Sequence, residues 1–339
     1  MSKEPNVLLE EYLKLRSNLQ VVYVIPMFTP EAGGNNYLQL LYQPFNNQNN
    51  LKNSFKIQGI SVSQYPTICF KRLKGEKSIL HMHWYDFDSL KKLFFLLWRT
   101  WWILVYRLFG GKVVWTVHNK YPHYRRYRLL NKVLRFIMAR IANRLHVHCN
   151  KAINIMSKVF RLKRQKFFVY PHPLPEATFI EQKTAQHELS KKYPQISFNE
   201  NEKVFLIFGL IAEYKGIEEV IDVFAKIDKK AKLLIVGKTR PKEEKYAQKI
   251  ANKVQNMANV IFINEPIPQE LVPLFFNACD AIILNYKDIL TSGVYYLASS
   301  YNKTILAVAK GCLKEAKGDN VLLHEDISGL LTNISTILS

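Results

Sequence analysis

Five short, unbroken apolar runs recur through the second half of this 339-residue chain, with helical patterns between them. The runs lie at 204–209, 232–237, 259–264, 280–286 and 304–308. The helical patterns fall near 216–228, 242–257, 268–278 and 292–302. Parallel strands that are buried on both faces have this continuous apolar character, so the alternation predicts a doubly wound α/β domain.

The first half of the chain shows the same alternation of apolar runs and helical patterns, but less regularly. Candidate strands lie at 21–26, 78–84, 112–119, 144–149 and 167–172. A Trp-rich helix at 93–109 would connect the second and third strands, and a basic helix at about 124–142 would lead to the fourth. The chain is therefore predicted to be α/β throughout, with two Rossmann-like, doubly wound parallel-sheet domains. Ligands of such sheets bind beyond the carboxyl ends of the strands, so the active site is expected in a central cleft that both domains face.

Composition shifts and turn residues suggest the domain boundaries. Residues 1–20 precede the first strand and are predicted to form a helical extension. Residues 21–172 would form an N-terminal Rossmann-like domain. The segment PHPLP (171–175) stops regular structure, so the polar stretch 173–202 is interpreted as a linker. Residues 203–339 would form a C-terminal Rossmann-like domain.

The charge excess of the chain lies entirely in its first half. Residues 1–175 hold 28 Lys and Arg against 7 Asp and Glu, whereas the remainder holds 20 of each. From Ser89 to Pro175 there are nineteen basic residues and no acidic one. A field of one sign indicates an anionic partner, which could be nucleic acid, a charged sugar or a membrane surface. Nucleic acid is disfavoured because no recognisable nucleic-acid module is present.

The segment 93–109 is apolar enough to require a membrane test. It has seventeen residues and contains Arg99 and Arg107, whereas a spanning helix needs about twenty apolar residues. A spanning helix is therefore the least favoured of three alternatives. The other two are a helix buried against the sheet and a helix seated in the lipid interface with snorkelling arginines. For the interfacial helix and the basic helix, the expected membrane contacts are Trp98, Arg99, Trp101, Trp102, Arg125, Arg126 and Arg128.

The N-terminus carries no apolar signal region. The chain is therefore expected to be cytoplasmic and to bind peripherally to the inner face of the cell membrane.

Two strand ends in the second half suit a phosphate. In FGLIAEYKG, a strand ends at Gly209 and Lys215-Gly216 opens a helix, so an ammonium and open backbone N–H groups would converge. In DILTSG, the residues Thr291, Ser292 and Gly293 would start another helix with hydroxyls and open N–H groups. Each feature alone also fits an ordinary helix start. Together they favour nucleotide binding.

The chain resembles the bacterial GT-B glycosyltransferases that build surface polysaccharides from nucleotide sugars on lipid-linked acceptors. The matching segments are EAGGNNYLQLLY (31–42), HMHW (81–84), WTVHNKYPH (115–123), FGLIAEYKG (208–216), INEPIPQEL (263–271) and DILTSG (288–293). The resemblance implies a hexosyltransferase that moves a sugar from a UDP- or GDP-sugar to a hydroxyl of a lipid-linked saccharide. It also implies that the domain at 21–172 receives the acceptor and faces the membrane, and that the domain at 203–339 binds the nucleotide sugar. It implies no cofactor besides the donor substrate and no catalytic metal.

The resemblance also implies roles for individual residues. Lys215 would hold the donor diphosphate, and the loop at Pro266 and Ile267 would contact the base. The other donor-binding positions would be Gly209, Tyr214, Gly216, Asp288, Thr291, Ser292 and Gly293. His118 would lie beside the transferred sugar. The other acceptor or cleft positions would be Gly33, Gly34, Asn35, His83, Asn119 and His123.

Two departures from the family pattern bear on mechanism. Retaining enzymes of the family-4 type carry two glutamates eight positions apart, where this chain has Ile289 and Leu297. The loop before Lys215 also lacks the arginine that related sequences often have. These departures favour inversion, which needs a general base on the acceptor hydroxyl. They also motivate an alternative, a non-catalytic GT-B subunit that supports a partner transferase.

The acid-free stretch restricts the candidates for that base. They are Asp86, then His118, then Glu31, although Asp86 is equally suited to capping the helix that follows it. His81 and His83 share a strand face, as do His146 and His148. Without a neighbouring carboxylate or a cysteine pattern, these histidines are expected to line the cleft rather than to bind a metal.

Overall fold

The computed structural model describes residues 7–28, 36–46, 55–121, 127–227 and 230–339. The chain divides into two compact units, Met1–Pro173 (unit 1) and Leu174–Ser339 (unit 2). Each unit contains one six-stranded sheet, and every strand pairing within it is parallel. The two-domain α/β fold expected from the sequence is confirmed.

Unit 1 has the strand order β2-β1-β3-β4-β5-β6. The strands are β1 (Val21–Ile25), β2 (Lys56–Gly59), β3 (Ser78–Met82), β4 (Lys112–Thr116), β5 (Arg144–Val147) and β6 (Phe167–Val169). The helices are α1 (Val7–Leu15), α2 (Asn36–Asn46), α3 (Tyr65–Leu73), α4 (Leu90–Leu108), α5 (Arg128–Ile141) and α6 (Asn150–Phe160). As predicted, α4 connects β3 to β4 and α5 leads to β5. The strand order reverses between β1 and β3, which places the expected ligand crevice at their carboxyl ends.

Unit 2 has the strand order β12-β11-β10-β7-β8-β9. The strands are β7 (Lys203–Phe208), β8 (Ala231–Val236), β9 (Val260–Ile263), β10 (Ala281–Leu284), β11 (Thr304–Val308) and β12 (Val321–His324). The helices are α7 (Gln182–Lys192), α8 (Ile217–Phe224), α9 (Glu244–Val254), α10 (Val272–Ala278), α11 (Gly293–Ser300) and α12 (Ile327–Leu338). This is the Rossmann order, and its switch point lies between β7 and β10.

The segment interpreted as a linker is instead part of unit 2. Residues 182–192 form α7, which packs on α10 through the buried side chains of Ala185 and Leu189. Glu202 then forms an ion pair of 2.7 Å with Lys232, and both side chains are almost fully buried. The linker prediction was wrong because the few apolar residues of this polar helix lie on one buried face.

The N-terminal residues are likewise more than an extension. Helix α1 forms as predicted, but its Leu8 and Tyr12 are fully buried in the same core as Val22 and Val24 of β1. Burial of a large apolar side chain stabilises a fold by about 1.5–3 kcal/mol. Helix α1 is therefore part of the core of unit 1 and contributes to its stability.

Candidate functional site

The loop after β7 in unit 2 brings a lysine to the switch point of the sheet. Lys215 is buried, and its Nζ donates a hydrogen bond of 2.6 Å to the carbonyl oxygen of Phe208, the last residue of β7. Burial lowers the pKa of Lys215 to about 7, because the charged form loses its hydration. A cation at this position gains from an anionic ligand that replaces the lost water.

Glycines allow this loop to approach the neighbouring strands closely. Gly216 caps α8 with a φ of 63°, and a Cβ there would lie 2.3 Å from the carbonyl oxygen of Asn285, which follows β10. Gly209 has a φ of 88° at the end of β7. Both conformations are costly for other residues. The glycines therefore fix the start of α8 against the end of β10, beside Lys215.

A second helix start adjoins the first. Ser292 caps α11, its Oγ accepting from the backbone N–H of Tyr295 at 3.3 Å, and Gly293 is the first helical residue. The Ser292 hydroxyl also lies 2.8 Å from that of Tyr286, whose ring stacks on Tyr214. The amino ends of α8 and α11, with Lys215, suit the charge and donor needs of a diphosphate.

The remaining donor candidates lie on connecting segments of unit 2. Pro266 and Asp288 are exposed, and Ile267 packs partly against the core of the unit. Thr291 is half-buried immediately before the Ser292 cap. Their donor-binding roles stay predictions.

Three residues near this site were missed from the sequence. Asn285 donates from Nδ2 to the Gly216 carbonyl at 3.1 Å, and His324 Nε2 lies 3.3 Å from Asn285 Oδ1. The guanidinium of Arg240 lies 5.9 Å from the Tyr214 ring centroid, and its backbone N–H bonds to Ile211. Arg240 thus places a guanidinium beside the loop that lacks its own arginine, and there it forms an ion pair of 3.2 Å with Glu243. Only the polar character of strand ends could have indicated these residues, because the contacts are long-range.

Among the candidate cleft residues of unit 1, His83 and His118 belong to a cluster of buried and half-buried histidines. Its members are His81, His83, His118, His146, His148 and His172, which follow or lie within β3 to β6. Burial is the main cause that lowers the pKa of every one of them, so these rings are neutral near pH 7.

His118 lies at the half-buried edge of this cluster. Its ring stacks on Trp84 with 4.9 Å between centroids, and its Nε2 lies 3.4 Å from His83 Nδ1. A neutral imidazole held in this way suits a general base.

Asp86 is differently placed. It lies near the buried Arg135. Burial lowers the pKa of Arg135 to about 10, and the charge of Asp86 acts in the opposite direction. Ser89, and not Asp86, caps α4. Arg135 also donates to the carbonyl oxygen of Asn119 at 2.5 Å. The arrangement favours a structural role for the Asp86 carboxylate. Glu31, Gly33, Gly34, Asn35, His123, Arg125 and Arg126 lie outside the described residues.

The outward face of α4 is apolar along its whole length. Six exposed side chains, spaced alternately by four and three residues, form what we call the α4 stripe: Leu90, Phe94, Leu97, Trp101, Leu104 and Leu108. Trp101 is 61% exposed and Leu108 is 82% exposed. The opposite face buries Leu96, Ile103 and Tyr106. Among the described residues, no helix has both the length and the apolarity needed to cross a membrane.

Two expected membrane contacts are placed differently. Arg99 turns inward, where its guanidinium lies 5.1 Å from the Tyr85 ring centroid, so it does not snorkel outward. Trp102 is half-buried against Trp98. Arg128, at the start of α5, is exposed as expected. Among the described residues, no group of three or more His, Cys, Asp or Glu side chains is arranged to hold a metal ion.

Comparison with known proteins shows what the chain is similar to. Residues 190–293 match the family model described as "Glycosyl transferases group 1". The chain is 32% identical over 105 residues to a GDP-mannose:glycolipid 4-beta-D-mannosyltransferase of Xanthomonas campestris pv. campestris, a match covering 30% of this chain and 29% of that protein. The match thus spans less than a third of the relative's length.

Solved structures match nearly the whole chain. Anabaena HepE in complex with UDP and glucose aligns with a TM-score of 0.66 at 13% identity, over 95% of this chain and 90% of HepE. Sucrose-phosphate synthase from Thermosynechococcus elongatus aligns with a TM-score of 0.63 at 15% identity, over 94% and 90% of the respective chains. The chain therefore has a two-domain α/β fold of the GT-B type, and residues 190–293 of its second unit match the group 1 glycosyl transferase model.

Proposed function

We propose that this protein is a glycosyltransferase that moves a sugar from a UDP- or GDP-sugar to a hydroxyl of a lipid-linked saccharide in bacterial polysaccharide biosynthesis. The observation that carries the proposal is the placement of Lys215 with the starts of α8 and α11 at the switch point of unit 2. The resemblance to a glycolipid mannosyltransferase and to a UDP-binding structure supports the same substrate class.

In the proposed reaction, unit 2 stabilises the leaving nucleoside diphosphate and unit 1 supplies the base for the acceptor hydroxyl. The acceptor oxygen attacks the anomeric carbon, while the bond from that carbon to the diphosphate oxygen breaks and leaves its electron pair on the nucleoside diphosphate. Lys215 and the two helix starts stabilise the charge that develops there. His118 accepts the proton of the acceptor hydroxyl. Ile289 and Leu297, where retaining relatives carry glutamates, pack against the core of unit 2, which favours inversion.

Nucleotide binding is tested by calorimetry with UDP and GDP. We expect Lys215→Met to weaken binding of the preferred nucleotide at least tenfold, because a charge-assisted contact to phosphate is lost. Lys303→Met is the matched control, since Lys303 also donates to backbone carbonyls, of Asn277 and Cys279, but precedes β11 at the opposite end of the sheet. Absence of binding to either nucleotide would contradict the proposal. Binding without turnover would favour the non-catalytic subunit.

We further propose that unit 1 binds an anionic membrane surface through α3, α4 and α5. These helices connect strands that advance in one direction along the sheet, so right-handed crossovers place them on the same face. Exposed apolar side chains continue from the α4 stripe to Phe70 and Leu73 on α3 and to Leu129, Leu130, Val133 and Ile137 on α5. Exposed basic residues accompany them: Lys71, Lys74, Lys91, Arg128, Lys132 and Arg140.

Co-sedimentation with vesicles tests this docking. Each basic residue near an anionic leaflet contributes about 1 kcal/mol, so we expect binding to phosphatidylglycerol vesicles that falls with salt, and much weaker binding to phosphatidylcholine vesicles. Binding to neither vesicle, together with tight, salt-sensitive binding of RNA or DNA, would show that the basic surface serves nucleic acid. A dimer formed through the α4 stripe would also contradict membrane docking.

A further inference from the structure

A continuous chain of hydrogen bonds runs through the histidine cluster of unit 1 and ends on a carbonyl. The carbonyl oxygen of Tyr170 can only accept, so His146 Nε2, at 2.9 Å, carries a proton and donates it. His146 Nδ1 is then unprotonated in the neutral ring and accepts from the Thr116 hydroxyl at 2.8 Å. Thr116 in turn accepts from His81 Nε2 at 2.8 Å. His81 Nδ1 is therefore left as an acceptor.

Two buried tyrosines compete at that acceptor. The hydroxyls of Tyr12 and Tyr42 lie 2.5 Å and 2.7 Å from His81 Nδ1, and they also bond to each other. The two hydroxyls hold two protons, of which one must serve His81 Nδ1 and the other the contact between the tyrosines. No hydroxyl proton remains for His83 Nε2, which lies 2.9 Å from the Tyr42 oxygen. His83 Nε2 must therefore be the donor in that contact.

The same reasoning assigns the position of the ring proton in His118. With its proton on Nε2, neutral His83 presents an unprotonated Nδ1 to His118 Nε2 at 3.4 Å. His118 then carries its proton on Nε2, which leaves its Nδ1 unprotonated. We propose that Tyr42 is a positioning residue that fixes the tautomer of His118 through His83, so that His118 Nδ1 is the atom that accepts the hydroxyl proton. The role of that atom in catalysis rests on the proposed glycosyl transfer, whereas the tautomer assignment does not.

The ring tautomers can be measured directly by long-range ¹⁵N–¹H NMR on the full chain with labelled histidine. We expect protons on Nε2 in His81, His83, His118 and His146. His148 should carry its proton on Nδ1, because that atom donates to Tyr170 at 3.1 Å. A proton on His118 Nδ1 in the native protein would overturn the proposal.

Two tyrosine variants separate Tyr42 from its neighbour. Tyr42→Phe removes the acceptor of His83 Nε2, so we expect the His83 and His118 protons to move to Nδ1. In Tyr12→Phe the one remaining hydroxyl proton, that of Tyr42, is required by His81 Nδ1 at 2.7 Å, so the His118 tautomer should stay on Nε2. An equal switch in both variants, or none in Tyr42→Phe, would contradict the proposal.

Variants of His83 provide a second route that leaves Tyr42 intact. His83→Asn keeps an acceptor near the position of Nδ1, so His118 should retain its proton on Nε2. His83→Gln keeps a polar group near Nε2 but removes the acceptor facing His118, so the tautomer should no longer be fixed. Loss of the fixed tautomer in both variants, or in neither, would contradict a role for His83 Nδ1.

Steady-state kinetics then test the catalytic consequence. We expect Tyr42→Phe to lower kcat at least tenfold with KM changed less than twofold. Tyr106→Phe should leave both unchanged, because Tyr106 is a buried tyrosine that donates to Ser78 at the other end of β3. If the tautomers behave as expected but kcat does not fall, His118 is not the base. In that case the catalytic role of His118 is wrong, while the tautomer assignment stands. If no variant or native chain turns over a nucleotide sugar, the proposed function fails while the tautomer assignment stands.

Discussion

Lys215 shows how a single buried residue can make a site sensitive to pH. Its ammonium lies at the end of β7 with the Phe208 carbonyl as a hydrogen-bond acceptor, and burial lowers its pKa to about 7. A diphosphate beside it would favour the charged form and raise that pKa again. Proton uptake and nucleotide binding are therefore coupled at this residue.

The coupling gives a prediction for nucleotide binding. Between about pH 7 and 9 the free protein loses the Lys215 proton while the complex retains it. Affinity for UDP or GDP should therefore fall as pH rises through this window, with uptake of up to one proton on binding. Calorimetry in buffers of different ionisation enthalpy measures that uptake. A pH-independent affinity, or the same proton uptake in Lys215→Met, would contradict the assignment.

At the scale of elements, α4 combines a face that packs in the core of unit 1 with a face that stays exposed among the described residues. Leu96, Ile103 and Tyr106 attach the helix to unit 1, while the α4 stripe points outward. Burying such side chains in an interface gains about 25 cal/mol per Å² of apolar surface. This apolar face is the part of unit 1 that the proposed membrane docking would bury in lipid.

A charge placed in the stripe should prevent that contact without unfolding the helix. We expect Trp101→Glu to reduce binding to anionic vesicles at least tenfold, because a carboxylate is repelled by the leaflet and resists burial. Leu331→Glu on α12 of unit 2 is the control, since Leu331 is also an exposed leucine on a helix. Equal loss in both variants, or no loss in Trp101→Glu, would argue against docking through α4.

The segment before β7 makes a stability prediction at the same scale. Glu202 and Lys232 form an ion pair whose side chains are only 5% and 3% exposed. Lys232→Met leaves the Glu202 carboxylate buried and unpaired, which should cost about 3–5 kcal/mol. The double variant Lys232→Met/Glu202→Leu should recover most of that loss. Urea denaturation of unit 2 measures both, and additive losses would show that the pair is not coupled.

At the scale of the whole molecule, the two units differ in net charge and in how accurately their strands can be predicted from the sequence. In unit 2 the apolar runs of β7, β8, β10 and β11 predict the strands closely, because strands buried on both faces are almost continuously apolar. The exception is Lys232 of β8, whose buried charge is paired with Glu202. The N-terminal strand β2 (Lys56–Gly59) was missed because it alternates exposed and half-buried residues at the sheet edge.

The candidate sites of the two units were predictable only where their residues directly follow a predicted strand. Lys215, Gly216 and Ser292 follow predicted strands, so their convergence follows from the topology. Asn285 and His324 meet only through pairing across the sheet, and the bond network of Tyr12 and Tyr42 with His81 joins residues up to 69 positions apart. Such contacts depend on how the helices pack, which periodicity alone does not specify.

The separate cores of the two units predict independent behaviour. Residues 174–339 contain a complete sheet, its flanking helices and the whole Lys215 site. We expect this fragment to fold alone and to bind UDP or GDP within about threefold of the affinity of the full chain. Circular dichroism and calorimetry on the fragment test this. A folded fragment without nucleotide affinity would mean that unit 1 supplies essential donor contacts.

The central claim is sugar transfer, and its most direct measurement is the release of nucleoside diphosphate from a panel of UDP- and GDP-sugars with lipid-linked saccharide acceptors in anionic vesicles. We predict acceptor-dependent release from at least one donor, accompanied by a glycosylated lipid product in mass spectrometry. Release should fall at least a hundredfold in Lys215→Met and in His118→Ala, and should be unchanged in Lys303→Met. Retained UDP or GDP binding with no release from any donor and acceptor pair would contradict the claim.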